Sequence, residues 1–237
     1  MSSSSSSALE PYQLELIDQA MSIGALTFGE FTLKSGRISP YFFNAGLISS
    51  GLQLNILCSA YAHTIAQGLS SPTDPIPQFD ILFGPAYKGI PLAACTSLLL
   101  QTTHNISTSL AYDRKEAKDH GEGGNFVGAP VKGKKVLVLD DVMTAGTAVR
   151  KAVEMIRREG GEVVGIVQCL DREEITGGEA EKERKSTAMK LEEELGGKGR
   201  VRAILRMRDL ITWLEEKGRK EELENMKVYF GKYGAND

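Results

Sequence analysis

Strong charge of either sign is missing from this chain: the formal net charge is −3 across 237 residues. That balance supplies no footprint for duplex nucleic acid and no polybasic membrane anchor. Long apolar runs are missing too, none approaching the ~20 residues needed to span a bilayer. The N-terminus, Met1 followed by six serines, has neither the basic segment nor the apolar segment of a secretory signal. Residues 1–8 read as a disordered tail. Cysteine is scarce. Cys58, Cys95 and Cys169 are odd in number, widely spaced and set in apolar segments, so they read as buried free thiols and not as a disulfide framework. With only three histidines beside them, they offer no zinc constellation. No Ser-His-Asp or Cys-His spacing supports a covalent nucleophile. No Gly-x-Gly-x-x-Gly opens a helix after a strand, so the dinucleotide fingerprint is absent. Gly128-Ala129-Pro130-Val131-Lys132-Gly133-Lys134-Lys135 nearly has Walker A spacing, but Lys135 stands where a hydroxyl belongs, and the run precedes a strand. Asn105-Ile106-Ser107 matches a glycosylation acceptor that, with no secretory signal, goes unused. The expectation is a soluble, cytoplasmic protein with no nucleic-acid and no membrane partner.

What is present is enough apolar sequence, 41% of residues, to bury a substantial core. Pro11–Ala25 carries Leu14, Ile17, Ala20 and Met21 on one face, which predicts a helix. Phe28–Arg37 alternates and turns at Ser35-Gly36, and Ser39–Phe43 resumes an extended aromatic stretch, which predicts a hairpin. Leu52–Leu69 predicts a second helix, ended by the proline-rich run Ser71–Pro77. Regular alternation follows: strand Phe79–Phe83, helix Ile90–Leu100, strand Ile106–Ala111, polar loop Tyr112–Asn125, strand Val136–Leu139 with its helix, and strand Val163–Leu170. Val201–Leu205 adds a last strand, and Leu210–Leu214 and Leu223–Tyr229 suggest closing helices. This order predicts an α/β fold around a central, mostly parallel sheet. The turns Gly84–Gly89, Tyr112–Asn125, Asp140–Gly146 and Asp171-Arg172 all follow strands and would share one edge. The Glu/Lys-rich run 177–198 reads as a charged surface insertion.

One stretch carries most of the chemistry. Lys135–Arg150, KVLVLDDVMTAGTAVR, is an apolar strand, two carboxylates (Asp140 and Asp141), a small-residue turn (Met143-Thr144-Ala145-Gly146-Thr147) and a helix. Unpaired backbone N–H groups at such a helix start bind phosphate through geometry and dipole. The acidic pair would repel a bare phosphate. A ligand satisfying both has a phosphate on one side and hydroxyls or a metal ion on the other, as a phosphorylated sugar does.

VLVLDDVMTAGTA resembles the phosphoribosyl-diphosphate motif of the type I phosphoribosyltransferases. Tyr112-Asp113-Arg114-Lys115-Glu116-Ala117-Lys118-Asp119-His120-Gly121-Glu122-Gly123-Gly124 resembles the mobile catalytic loop of the orotate phosphoribosyltransferase branch of that family. Phe31–Phe43, Gly84–Gly89 and Leu170-Asp171-Arg172 are similar to further segments of the same branch. The resemblance implies a type I phosphoribosyltransferase fold with a small hood-like N-terminal β/α region (9–50) that contacts the base. A core (78–206) and C-terminal helices (207–237) would complete a single domain over 9–237.

It also implies roles. Asp140 and Asp141 would hold ribose hydroxyls and favour positive character on the sugar, while Val142, Met143, Thr144, Ala145, Gly146, Thr147 and Ala148 would form the phosphate turn. Tyr87 and Lys88, with Arg114, Lys115, Lys118 and His120, would meet the diphosphate, Lys118 and His120 neutralising it as it leaves. Lys34, Phe42, Phe43, Thr144 and Arg172 would hold orotate, Arg172 through a planar two-pronged pairing with its carboxylate. Two adjacent Phe residues also suit a core, and a charged loop also suits solvent. Mg²⁺ would be carried mainly by 5-phosphoribosyl 1-diphosphate (PRPP), with no direct protein ligand. A homodimer sharing the catalytic loop between subunits is implied. The competing expectations are the same chemistry on a purine base, or a non-catalytic PRPP-sensing regulator.

Overall fold

The computed structural model describes residues 8–115, 125–143, 146–177 and 184–235. Lys118 and His120 of the charged loop, and Thr144 and Ala145 of the turn, therefore lie outside the described residues, as does most of the serine tail.

The chain opens with α1 (Pro11–Ser22), a hairpin of β1 (Leu26–Thr32) and β2 (Ile38–Phe43), and α2 (Gly51–Ser70). Pro11 sits in the first turn of α1, where its missing N–H costs nothing. Ser50 caps α2, accepting from Gln53 N while the Gln53 side chain accepts from Ser50 N at 3.0 Å. Then come β3 (Ile81–Gly84), α3 (Gly89–His104), β4 (Ser109–Asp113), β5 (Phe126–Gly128), β6 (Lys135–Val142), α4 (Thr147–Arg158) and β7 (Glu162–Asp171). The chain finishes with α5 (Thr187–Glu194), β8 (Val201–Arg206), α6 (Met207–Glu216) and α7 (Lys220–Tyr233).

The main sheet has the order β5-β4-β3-β6-β7-β8, with β1-β2 a separate antiparallel pair. Every pairing in the main sheet is parallel except β4 with the short edge strand β5. Strand residues alternate between two cores, as a sheet covered on both faces requires. Leu82, Leu137, Leu139 and Val167 join one cluster with α1, α2, α3 and α6. Ile81, Phe83, Val136, Val138 and Ile166 join the other, with α4 and α5. Each fully buried side chain of this kind contributes about 1.5–3 kcal/mol. The hairpin is fastened to the C-terminal helices: Phe28 stacks on Trp213 at 6.3 Å between centroids.

Two expectations change. The charged run 177–198 is not simply a surface excursion, because Ala188, Leu191 and Leu195 are buried in the cluster beside α4 and Thr187 is buried next to them in sequence. Those residues recur at helical spacing, a stripe that the Glu/Lys count conceals. The acidic pair also lies inside β6, which runs on to Val142, and not in the turn after it.

Candidate active site at the switch point of the sheet

From β3 the chain winds outward to β4, then returns to lay β6 on the other flank of β3. That reversal opens a crevice beyond the carboxyl ends of β3 and β6, where ligands of open α/β sheets bind. Loop Gly84–Gly89 forms one wall. A Cβ on Gly84 would lie 2.1 Å from the Gly89 carbonyl oxygen, so β3 and the start of α3 can approach this closely only without a side chain. The Ala86–Tyr87 peptide is cis. Ala86 N donates to Asp113 Oδ1 at 2.6 Å, which ties the loop to the end of β4. Tyr87 is 65% exposed, and the Lys115 ammonium lies 4.6 Å from its ring centroid. Lys88 reaches across the crevice to Asp141 Oδ2 at 3.1 Å. The Lys88 side chain is largely exposed, so this pair adds at most about 1 kcal/mol of stability.

The end of β6 forms the other wall. As consecutive strand residues, Asp140 and Asp141 leave opposite faces of the sheet. Asp141 lies on the α2–α3 side, bounding a cavity of about 130 Å³ with Lys88, Leu57 and Leu92. Asp140 lies on the α4 side. Its backbone carbonyl accepts from the hydroxyl of the fully buried Tyr61 at 2.5 Å, which pins the strand end to α2. The Asp140 carboxyl is pushed up to about 6, first by burial and then by the neighbouring Asp141 charge, with Lys88 pulling the other way. Met143 N donates to the side-chain oxygen of buried Gln168 at 3.3 Å. The Met143 side chain is buried in the core, so any ligand contact there comes from its backbone. Gly146, at φ 70°, precedes α4 and brings no side-chain cap. Among the described residues no side chain caps the first-turn N–H groups of α4, and Thr147 and Ala148 are exposed beside them. Packing from behind allows nothing larger than glycine: a Cβ on Gly146 would meet Thr187 Cγ2 at 2.9 Å.

Arg172 follows β7, the next strand, and is 6% exposed. Its Nε and Nη2 both engage Glu174 Oε1, at 2.8 and 2.7 Å. Nη2 also donates to Ser39 Oγ at 2.8 Å, and the guanidinium lies over the Tyr41 ring at 4.3 Å. Sequence spacing alone could not pair Arg172 with Ser39 and Tyr41 of the hairpin. The two-pronged pairing expected for Arg172 needs correcting, because its Nε–Nη2 edge is already filled and, among the described residues, Nη1 is the nitrogen left over.

The other expected residues fall out unevenly. Lys34 is exposed at the hairpin turn, where Leu33 N bonds to Arg37 O at 2.9 Å. Phe42 is exposed and stacks on Phe31 at 5.6 Å, whereas Phe43 is 7% exposed and packs into the core. Strand alternation separates the pair, so the two rings do not form one stacking surface. Arg114 continues from β4, its N–H bonded to Asn125 O at 2.7 Å, and Val142 packs partly against the larger core. Spacing gave no sign of the supporting roles of Tyr61, Asp113, Gln168 and Glu174, all of which act on the backbone or on another side chain.

Three comparisons bear on this site. The family model for the phosphoribosyl transferase domain matches residues 65–193. An orotate phosphoribosyltransferase from Acinetobacter baumannii (strain ACICU) is 48% identical over 218 residues, covering 92% of this chain and 94% of that protein. One from Vibrio parahaemolyticus is 45% identical over 227 residues, covering 95% of this chain and 100% of that protein. Among solved structures, the orotate phosphoribosyltransferase of Francisella tularensis has a TM-score of 0.78 at 39% identity, covering 93% of this chain and 100% of that one.

Proposed function

The chain belongs to the orotate phosphoribosyltransferase family, and we propose from that premise how its own residues carry out the reaction. Orotate and PRPP give orotidine 5′-phosphate and diphosphate, the step of pyrimidine biosynthesis that joins base to sugar. The observation that carries this reading is the crevice at the switch point. An acidic pair ends one strand, a lysine from the facing loop reaches Asp141, and a helix start with no side-chain cap among the described residues lies just beyond.

The 5′-phosphate sits against the N–H groups of the turn through Thr147 and Ala148, where the helix dipole favours an anion. Asp140 and Asp141 accept from the ribose hydroxyls, one from each side of the strand end. The Asp140 carboxyl, pushed up to about 6, ionises above that pH, and the negative charge at the strand end favours the positive character that develops at the anomeric carbon as the bond to diphosphate lengthens. The nucleophile is the ring nitrogen of orotate, so the protein's work is positioning, charge stabilisation and exclusion of water. Lys88 and Tyr87 receive the diphosphate, aided by Arg114 and Lys115. Lys118 and His120 act on the leaving group. Lys34, Phe42 and Arg172 hold the base.

Among the described residues, no three His, Cys, Asp or Glu side chains gather to hold a metal. Mg²⁺ would be carried mainly by the oxygens of PRPP with no direct protein ligand, and the carboxylates of Asp140 and Asp141 would give it a favourable hard-oxygen surrounding. When bound, that ion would supply positive charge against the diphosphate. A homodimer that shares the catalytic loop, working in the cytoplasm, belongs to the same reading. No helix among the described residues is long and apolar enough to cross a membrane.

The test pairs two variants. Lys118→Ala should depress kcat more than the KM for PRPP, because its contact strengthens as diphosphate departs. Mixing it with Arg172→Ala should restore part of the activity through heterodimers carrying one intact site. An unchanged kcat would remove Lys118 from the chemistry, and demonstrated heterodimers with no recovered activity would remove loop sharing.

A further inference from the structure

Arg172 is not a free cation waiting for a ligand. Glu174 Oε1 takes its Nε and Nη2, and Ser39 takes Nη2 a second time. Glu174 is itself held: the Tyr229 hydroxyl donates to the same Oε1 at 2.9 Å, and Arg37 Nη1 lies 3.6 Å from Oε2. Tyr229 belongs to α7, far from the motif residues in sequence, yet it is 5% exposed and packs in the larger core. The end of α7 is fastened to the same segment, through Ala235 N to Glu173 O at 2.7 Å and a bridge between Glu174 and Gly234. A guanidinium has five N–H donors in a fixed fork. With the Nε–Nη2 edge filled and both Nη2 hydrogens committed, a ligand is offered Nη1.

We infer that Glu174, locked by Tyr229 of the last helix, is a positioning residue that sets how Arg172 meets the carboxylate of the base. Its carboxylate stands on the edge that a base carboxylate would otherwise choose, and so directs the base to Nη1. The C-terminal helix thereby takes part in base recognition without touching the base. This rests on the reading of Arg172 as the orotate partner.

The test uses the full chain with Glu174→Ala, Glu174→Gln, Tyr229→Phe and Arg172→Ala. The readouts are the KM for orotate, the KM for PRPP, kcat, and inhibition by the neutral carboxamide analogue of orotate. Glu174→Ala should raise the orotate KM about tenfold while the PRPP KM and the carboxamide inhibition constant stay within about twofold. Glu174→Gln keeps an acceptor for Nε and Nη2 and should hold the orotate KM within about threefold of the parent. Tyr229→Phe should raise it by a few-fold. The inference is overturned if Glu174→Ala lowers the orotate KM, which would make Glu174 a competitor. It is equally overturned if both substrates and the carboxamide are affected alike, which would make its role merely structural. Should Glu174→Ala fail to fold, Tyr229→Phe decides: an unchanged orotate KM ends the proposal. If Arg172→Ala leaves the orotate KM unchanged, the assignment of Arg172 fails on its own account; if Arg172→Ala weakens orotate and the Glu174 and Tyr229 variants do not, only the inference fails.

Discussion

Replacing Asp140 with Asn should make the protein more stable and less active, and the size of the gain should depend on pH. The Asp140 carboxyl is raised from 3.8 to about 6 by burial and by Asp141. A folded-state value above the unfolded one means that the fold prefers the protonated acid. Its contribution is fully present below about pH 4 and is lost as pH rises through 6. At ~1.4 kcal/mol per pH unit, ionised Asp140 costs the fold about 3 kcal/mol at pH 7.5 and about 1 kcal/mol at pH 4.5. Asn carries no charge and escapes that cost. For a chain of this size, 1 kcal/mol moves Tm by about 2–4 °C. Asp140→Asn should therefore raise Tm by about 6–12 °C at pH 7.5 and by about 2–4 °C at pH 4.5. Turnover should fall by about 10²-fold as charge stabilisation of the developing cation is lost. Thermal denaturation at both pH values, with steady-state rates at pH 7.5, measures all of this. A variant no more stable than the parent at pH 7.5, or a gain that stays constant with pH, would refute the account of a strained acid at this position.

Lys88→Ala should raise the KM for PRPP about tenfold while changing stability by less than about 1 kcal/mol, since its ion pair is half in solvent. Lys88 also lowers the Asp140 value, so its loss should move the acid limb of the kcat–pH profile upward; a downward move would reverse the assigned sign. Gly84→Ala forces a Cβ to within 2.1 Å of the Gly89 carbonyl oxygen and should destabilise the fold by about 3 kcal/mol, read by urea denaturation. Asp113→Ala leaves the Ala86 N–H without its acceptor and should raise the PRPP KM several-fold with little effect on that for orotate, measured by varying each substrate in turn.

Much of this architecture was legible in the chain because parallel strands buried on both faces leave unbroken apolar runs. Val136–Leu139 and Val163–Leu170 announced β6 and β7; β7 adds one residue at each end, whereas β6 runs on through the acidic pair to Val142. The short edge strand Phe126–Gly128 was not legible, since three residues carry no periodicity and its place depends on pairing with β4. Boundaries slipped where polar residues continue a strand, as at Tyr112 and Asp113 of β4. At the site, the residues proposed to meet a ligand fall in short motifs whose chemical types revealed them. Residues that hold those residues did not. Tyr61 reaches Asp140 across 79 positions and Arg172 reaches Ser39 across 133, contacts that only the packed fold creates. Phe42-Phe43 illustrates the reverse case, a suggestive pair divided by strand alternation into one exposed ring and one core ring.

The crevice between β3 and β6 is the proposed seat of phosphoribosyl transfer to orotate. The most direct measurement is diphosphate release from PRPP with orotate, adenine or hypoxanthine as the base, each with Mg²⁺ and with the metal chelated. Turnover is expected with orotate and Mg²⁺, with orotidine 5′-phosphate formed in equal amount and the rate lost on chelation. Turnover of a purine with none of orotate, or binding of PRPP with no turnover of any base, would contradict the proposal.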